Sequence, residues 1–233
     1  MLSIIIPTLN EEKYLPKLLK SIKSQTFKDY EIIVVDNNSK DKTRTIAKKF
    51  GCKVVKGGEH PGISRNRGSR KAKGNLLLFM DADCEIHKGF LKNAVNEIKT
   101  KNLDIAGCKV MPLSNRIDDN IAFSIYNSWI IATQLFYANA SGHGIFCNKK
   151  LHNKIKGFDE NIRLSEDMDY CKRANKIGKF RILKSTIIHT STRRFDYCGR
   201  FNTYLKLLLS AFYRPIFGEI KSNIFNYRFN YKK

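Results

Sequence analysis

The stretch Asn75-Leu76-Leu77-Leu78-Phe79-Met80-Asp81-Ala82-Asp83 decides the fold. Its apolar run from Leu76 to Met80 is unbroken, whereas a strand with one wet face alternates, so it reads as a strand covered on both faces. Such strands belong to parallel sheets with helices packed on each side. The run stops at two carboxylates, and in sheets of this kind the carboxyl ends of the strands form the ligand crevice.

Working outward, the preceding segments repeat the pattern. Leu2 to Ile6 is a first strand, stopped by Pro7. Asn10 is expected to cap a helix running to Phe27, with Glu11 and Glu12 in its first turn, Pro16 near its start and Leu15, Leu18, Leu19 and Ile22 on its buried face. Glu31 to Val35 is a strand ending at Asp36, followed by a helix from Asp41 to Phe50 closed by Gly51, a short strand from Cys52 to Val55 and a basic helix from Ile63 to Lys73. Beyond Asp83 the alternation fades. The pattern there gives a helix over His87–Lys99, a strand over Leu103–Met111 and a long aromatic-rich helix over Asp118–Tyr137, then strands Ser141–Cys147 and Arg181–His189 flanking a helix Glu166–Ile177. The expected fold class is α/β, a Rossmann-like three-layer sandwich with a mostly parallel central sheet and a C-terminal helical appendage.

Composition narrows the partners. Across 233 residues, 43 Lys+Arg oppose 21 Asp+Glu, a formal net charge of +22 that predicts an anionic partner. Nucleic acid, a phospholipid surface and a diphosphate substrate all satisfy it, and much of the charge reads as solvated lysine. Cysteines at 52, 84, 108, 147, 171 and 198 form no Cys-x-x-Cys pair and read as reduced thiols rather than a zinc site or disulfide framework. Leu2 to Ile6 leads directly into polar Thr8 and Asn10, which is no signal peptide, so a cytoplasmic location is expected. Runs such as Leu205 to Tyr213 are too short to span a bilayer, so any membrane association is expected to be peripheral, at the inner face of the cell membrane.

Four local patterns carry chemistry. Asp81-Ala82-Asp83 on an extended segment points its carboxylates to opposite sides, which suits one for a metal and the other for a different task. Oxygen ligands favour Mg²⁺ or Mn²⁺, which keep waters, bridge phosphates and offset charge on a diphosphate leaving group. Ser165-Glu166-Asp167 opens a helix, with Asp169 close behind; first-turn acids complement a helix dipole, yet three of them crowd into one turn of a strongly basic chain. A carboxylate there suits removal of a proton from an acceptor hydroxyl, and like-charge neighbours raise a carboxyl pKa. Gly62-Ile63-Ser64-Arg65-Asn66-Arg67-Gly68 opens the basic helix and suits a nucleotide diphosphate, while Arg70, Lys71 and Lys73 read as solvated. His189 ends an apolar strand, where an imidazole is more often structural than a metal ligand.

Taken in order, these pieces resemble glycosyltransferase family 2, whose members have the GT-A fold. The matching residues are Ile5-Ile6-Pro7-Thr8-Leu9-Asn10-Glu11-Glu12, Val34-Val35-Asp36-Asn37-Asn38-Ser39 with Asp41 and Thr43, Arg65-Asn66-Arg67-Gly68, Asp81-Ala82-Asp83, Gly157-Phe158-Asp159-Glu160, Glu166-Asp167-Met168-Asp169 and His189. The resemblance implies that Pro7, Thr8, Asn10 and Glu11 line a nucleotide pocket, Asp36 contacts the base, Arg65 holds base or phosphate, and Asp81 touches the ribose or donor sugar. Asp83 would bind the metal, Mn²⁺ or Mg²⁺, with His189 as a second ligand. Asp167 would be the general base of an inverting displacement, Glu166 would position the acceptor, and Ser141-Gly142-His143-Gly144 would form the acceptor-side loop. It also implies a catalytic domain over 1–195, with a nucleotide-binding part to about residue 110 and an acceptor part over about 111–195, and a basic aromatic appendage over 196–233.

The expected reaction moves one sugar from a nucleotide-diphosphate sugar, UDP-linked before GDP-linked, to a lipid-linked or cell-envelope glycan. The Gln-x-x-Arg-Trp motif of processive synthases is absent, since the only tryptophan is Trp129, so one transfer per encounter is expected. The appendage interleaves Arg200, Lys206, Arg214, Lys221 and Arg228 with Phe201, Tyr204, Leu205, Leu208, Leu209, Phe212, Phe217, Phe225 and Tyr227, which suits either an anionic membrane surface or packing of Leu205, Leu208, Leu209 and Phe212 on the catalytic domain. A nucleotidyltransferase would carry a Gly-rich basic loop after the first strand, where Asn10-Glu11-Glu12 stands instead. A nucleic-acid-binding module accounts for the charge but not for acids at strand ends, so no specific nucleic acid is expected.

Overall fold

Residues 1–225 are described by the structure, a computed structural model; Tyr227 and Arg228 of the expected appendage and the side chain of Phe212 lie outside the described residues. In chain order the elements are β1 (Leu2–Thr8), α1 (Leu15–Lys23), β2 (Tyr30–Asp36), α2 (Thr43–Lys49), β3 (Lys53–Lys56), α3 (Pro61–Lys71), β4 (Leu76–Phe79), β5 (Cys84–Ile86) and α4 (Phe90–Thr100). They continue with β6 (Ile105–Pro112), α5 (Ile117–Thr133), β7 (Ile145–Asn148), α6 (Lys149–Lys154), α7 (Glu166–Asn175), β8 (Phe180–Thr190), α8 (Arg193–Cys198) and α9 (Arg200–Phe217).

The strands form one eight-stranded sheet in the order β3-β2-β1-β4-β7-β6-β8-β5. β3, β2, β1 and β4 are parallel neighbours; β7 runs antiparallel to both β4 and β6, β6 and β8 are parallel, and β5 lies antiparallel to β8. The unbroken apolar runs have the consequence expected of them. Ile4, Ile6, Val34, Leu78 and Met80 enter one core with α1 and α4, while Ile5, Ile33, Val35, Leu77 and Phe79 enter a second on the opposite face with α7. Successive side chains of a strand point to opposite faces, so a three-layer sandwich follows directly from the sequence run. On the second face α3 lies so close to the sheet that a Cβ on Gly68 would sit 2.4 Å from Ile5 Cγ2 and 2.9 Å from Val35 Cγ2.

Several expected boundaries move, for identifiable reasons. β1 runs through Pro7 to Thr8. Met80 N donates to Ile5 O and Asn37 N to Thr8 O, so Pro7 turns its nitrogen to the β4 side, beyond that ladder's end at Ile5 and Phe79, where a missing N–H costs nothing. Asn10 does not cap α1: its φ is 57°, Tyr14 is the N-cap, and the Asn10 side chain accepts from Lys40 N instead. The strand expected from Ser141 begins at Ile145, after the Ser141–Gly144 turn, and β5 and α6 were not expected at all.

β8 is eleven residues long but pairs with β6 through a shift in register, Gly107 opposing Ile182 and Lys109 opposing Ile187. The extra residues of β8 leave amides without ladder partners. Glu97 of α4 takes them up, accepting from Lys184 N at 3.0 Å and Ser185 N at 2.9 Å, and it also pairs with Lys101. Burial pushes the Glu97 carboxyl up, but Lys101, Ser185 and the two amides outweigh it and hold the pKa at about 2. Because the folded value lies below the ordinary 4.5, this carboxylate stabilises the fold fully above pH 4.5 and loses its contribution as pH falls towards about 2. Glu97→Gln is expected to lower unfolding free energy at pH 7 by about 2–3 kcal/mol and to flatten the acid limb of a urea-denaturation pH series. An unchanged acid limb would remove this role.

Candidate active site

The carboxyl ends of β1, β2 and β4 converge, and two loops there are stitched together. Asp36 is buried at the end of β2, accepting from Ser39 N at 3.1 Å and from Thr8 Oγ1 at a long 3.4 Å. Arg44 Nε lies 3.6 Å from the same carboxylate. Asn10 N donates to Ser39 Oγ at 2.9 Å, Glu11 N to Thr43 Oγ1 at 2.7 Å and Glu12 N to Asp41 Oδ2 at 3.1 Å. The left-handed turn at Asn10 aims these successive amides at the second loop, and Asn tolerates that backbone better than most residues.

Arg65 of α3 is the inner pivot. Its side chain is 3% exposed, with Nη1 2.5 Å from Glu166 Oε1 and Nη2 2.9 Å from Asp81 Oδ1, and it lies 5.4 Å from the centroid of the Phe158 ring. Gly142 makes room: a Cβ there would stand 2.4 Å from Arg65 Nη2. Burial pushes the Asp81 carboxyl up, yet Arg65, His143 and Arg194 hold it below the usual aspartate value. For Glu166 burial is the largest influence, and with Asp167 beside it raises the carboxyl in spite of Arg65. The upward shift anticipated within the acidic cluster falls on Glu166.

Asp167 sits at the start of α7, where Ser165 takes a left-handed backbone with φ 63°. Its Oδ2 accepts from Gly142 N at 2.7 Å and its Oδ1 from Met168 N at 2.8 Å, so the carboxylate is fixed against the Ser141–Gly144 loop. In that loop Ser141 Oγ contacts His143 Nδ1, and His143 Nε2 lies 3.8 Å from Asp81 Oδ2. Asp169 is turned away, paired with Arg173 at 2.7 Å.

Asp83 has a partner that the sequence did not disclose. Arg193, the first residue of α8, places Nε 3.0 Å from Asp83 Oδ2 and Nη2 2.6 Å from Glu11 Oε1, with its guanidinium 4.1 Å from the centroid of the Tyr14 ring. His189 is half-buried on β8, opposite Glu85 of β5 and Met111 of β6, and Ser191 N just beyond it donates to Asp83 O at 3.1 Å. Among the described residues no three His, Cys, Asp or Glu side chains are grouped to hold a metal ion. Mg²⁺-type sites, however, use one or two carboxylates and take their remaining ligands from water and substrate phosphate, so Asp83 with its hard oxygens fits such an ion without a full protein cage.

Two networks therefore stand side by side at the Asp81-Ala82-Asp83 segment: Arg193 joins Glu11 to Asp83, and Arg65 joins Asp81 to Glu166, with His143 beside Asp81 and Gly142 N holding Asp167. The family model for glycosyl transferase family 2 matches residues 3–155, a span that ends before α7 and Arg193. The chain belongs to glycosyltransferase family 2. Among relatives in this family, the poly(ribitol-phosphate) beta-N-acetylglucosaminyltransferase TarS of Staphylococcus aureus is 29% identical over 211 residues, covering 82% of this chain and 35% of TarS. A dolichyl N-acetyl-alpha-D-glucosaminyl phosphate 3-beta-D-2,3-diacetamido-2,3-dideoxy-beta-D-glucuronosyltransferase of Methanococcus voltae is 28% identical over 193 residues, covering 72% of this chain and 60% of that protein. The chain thus spans less than two thirds of either relative. The crystal structure of TarS 1-349 with UDP-GlcNAc superposes with a TM-score of 0.67 at 27% identity, covering 89% of this chain and 65% of that one. The mannosyltransferase PcManGT from Pyrobaculum calidifontis, solved with GDP-Man and Mn²⁺, reaches 0.75 at 20% identity, covering 92% and 64%, and shares the fold. That fold is GT-A.

Removing Arg65 leaves Glu166, 8% exposed, buried without a counter-charge, while Asp81, 34% exposed, keeps access to water and to His143; breaking a buried pair in this way is worth about 3–5 kcal/mol. Arg65→Met is expected to lose that much unfolding free energy by denaturant titration. Combined with Glu166→Gln it should lose less than the sum of the single losses, by about 1–3 kcal/mol. Strict additivity would show that the two groups are not coupled.

Proposed function

We propose that this chain transfers a single sugar from a nucleotide-diphosphate sugar to a lipid-linked or cell-envelope glycan acceptor, inverting the anomeric centre, with Asp167 as general base. The observation that carries the reading is the placement of Asp167: both oxygens are oriented by backbone amides, against the Ser141–Gly144 loop and across Arg65 from the acids at the end of β4. In this reading residues to about 110 bind the nucleotide, with Pro7, Thr8, Asn10 and Glu11 lining its pocket and Asp36, fixed by Ser39 N, receiving the base. Arg65 holds base or phosphate of the donor and orients Asp81, which meets the ribose or sugar. Gly142, His143, Gly144 and Glu166 face the acceptor, part of an acceptor region over about 111–195.

Asp83, with His189, would hold Mn²⁺ or Mg²⁺. When bound, the ion offsets the negative charge of the departing nucleoside diphosphate. Asp167 removes the proton of the attacking hydroxyl as its oxygen bonds to the anomeric carbon, and the donor's bond to the diphosphate breaks on the opposite side. Holding base, hydroxyl and anomeric carbon in line converts a bimolecular encounter into an oriented one. Support for a polymer or lipid-linked acceptor comes from the names of the bacterial and archaeal relatives, and support for UDP from the TarS complexes with UDP and UDP-GlcNAc.

The appendage over 196–233 completes the reading. Phe201, Leu205, Leu208 and Leu209 of α9 are exposed rather than packed on the domain, next to Lys206 and Arg200 in sequence. No helix of the described residues is long and apolar enough to cross a membrane. A half-exposed apolar face on a chain of charge +22 suits an anionic lipid surface on which the acceptor would be presented.

Asp167→Asn is expected to lower kcat by about 10²–10⁴-fold while the melting-temperature rise given by UDP-sugar with Mn²⁺ is retained. Undiminished turnover would remove Asp167 from the base role. In the thermal-shift assay UDP-sugars should stabilise the chain more than GDP-, dTDP- or CMP-sugars, with the gain lost in Asp83→Asn; a larger shift with GDP-sugars would reassign the base. In vesicle flotation the full chain should rise with phosphatidylglycerol-containing vesicles and the Leu205→Ser/Leu208→Ser/Leu209→Ser variant should not. Equal flotation of the two would take the membrane role away from α9.

A further inference from the structure

Arg193 is placed where a bound cation would otherwise be needed. Its side chain is 10% exposed, and those of its partners Asp83 and Glu11 are 14% and 12% exposed. The two carboxylates come from segments 110 and 182 residues away along the chain, and the Tyr14 ring lies 4.1 Å from the guanidinium. A guanidinium stays charged at every physiological pH and presents several N–H donors in a fixed plane, so it can satisfy two carboxylates together.

We infer that Arg193 is the protein's own counter-ion for Asp83 and Glu11, so that divalent cation and nucleoside diphosphate bind as a unit rather than independently. The inference rests on the reading of Asp83 as the metal-side carboxylate. A divalent cation arriving alone meets a carboxylate oxygen already neutralised and a positive charge about 3 Å from it, where like charges repel strongly. To take the Oδ2 oxygen it must displace the Arg193 pair, leaving a nearly buried guanidinium with Glu11 but without Asp83. A cation arriving with a diphosphate brings the missing negative charge, because phosphate oxygens accept guanidinium N–H bonds as well as carboxylates do. Each ligand therefore raises the affinity for the other by the same factor, as binding linkage requires.

The test is Mn²⁺ binding followed by the loss of the free-ion electron paramagnetic resonance signal, with and without saturating UDP. It uses the full chain as wild type, Arg193→Gln and Arg193→Lys. The wild type is expected to bind Mn²⁺ at least tenfold more tightly with UDP than without. Arg193→Gln should bind Mn²⁺ alone about tenfold more tightly than wild type and show a smaller effect of UDP. Arg193→Lys, which keeps a cation, should stay within a few-fold of wild type. Wild-type chain that binds Mn²⁺ equally well with and without UDP would overturn the inference whether or not the glutamine variant folds. So would a folded Arg193→Gln, judged by its thermal melt, that binds free Mn²⁺ no more tightly. A wild type that binds UDP but takes up no Mn²⁺ in either condition would instead strike at Asp83 as the metal carboxylate, and the inference falls with it.

Discussion

Burying a carboxylate is costly unless a counter-charge is buried with it, and this constraint organises the carboxyl edge of the sheet. Arg65 bridges Asp81 and Glu166, 16 and 101 residues distant, and Arg193 bridges Asp83 and Glu11 across still longer separations. Each arginine ties together segments distant in sequence: α3 to the end of β4 and to α7 in one case, α8 to the β1–α1 loop in the other. The small residues around them follow from this. Gly142 leaves space for the Arg65 guanidinium, and its amide, freed from any strand, holds Asp167.

The second face of the sheet keeps the acidic helix in place. Phe158 and Tyr170 stack with centroids 4.0 Å apart, and Phe79 of β4 meets both edge-on. Asn66 donates to Phe158 O and accepts from Phe158 N, which locks the Gly157–Glu160 turn to α3. From the other side the appendage reaches the same helix: Arg214 pairs with Glu219 and lies 2.8 Å from Met168 Sδ, and Arg163 N donates to Ile220 O. Asp119 of α5, fully buried, takes Arg200 at 3.0 Å and Tyr204 at 3.2 Å, so both ends of α9 are anchored while its middle remains exposed. Anything that moved α9 would therefore be felt next to Asp167.

Charge divides by burial rather than by sequence. Arg70 is 62% exposed and its nearest carboxylate is 3.8 Å away, a solvated pairing of little energetic weight, whereas Arg65, five residues earlier on the same helix, is almost wholly enclosed. The helical period alone separates them, one turning to the acids and the other to water.

By itself the sequence determined the layers of the sheet and the positions of its acids. Unbroken runs such as Leu76–Met80 require cover on both faces, and a carboxylate cannot sit inside such a run, so Asp36, Asp81 and Asp83 had to stand at strand ends. Local chemistry went furthest there because period and burial are local properties. It failed at Asn10, whose side chain answers Lys40 N thirty residues on rather than the helix beside it, and it carried no sign of the role of Glu97, whose partners are amides released by a register shift in β8. Only the tertiary structure decided which arginine would neutralise which acid. Arg65 stood in a motif and Arg193 in none, and nothing within several residues of either specifies a partner more than a hundred positions away, because an ion pair is fixed by where the folded backbone brings its charges together.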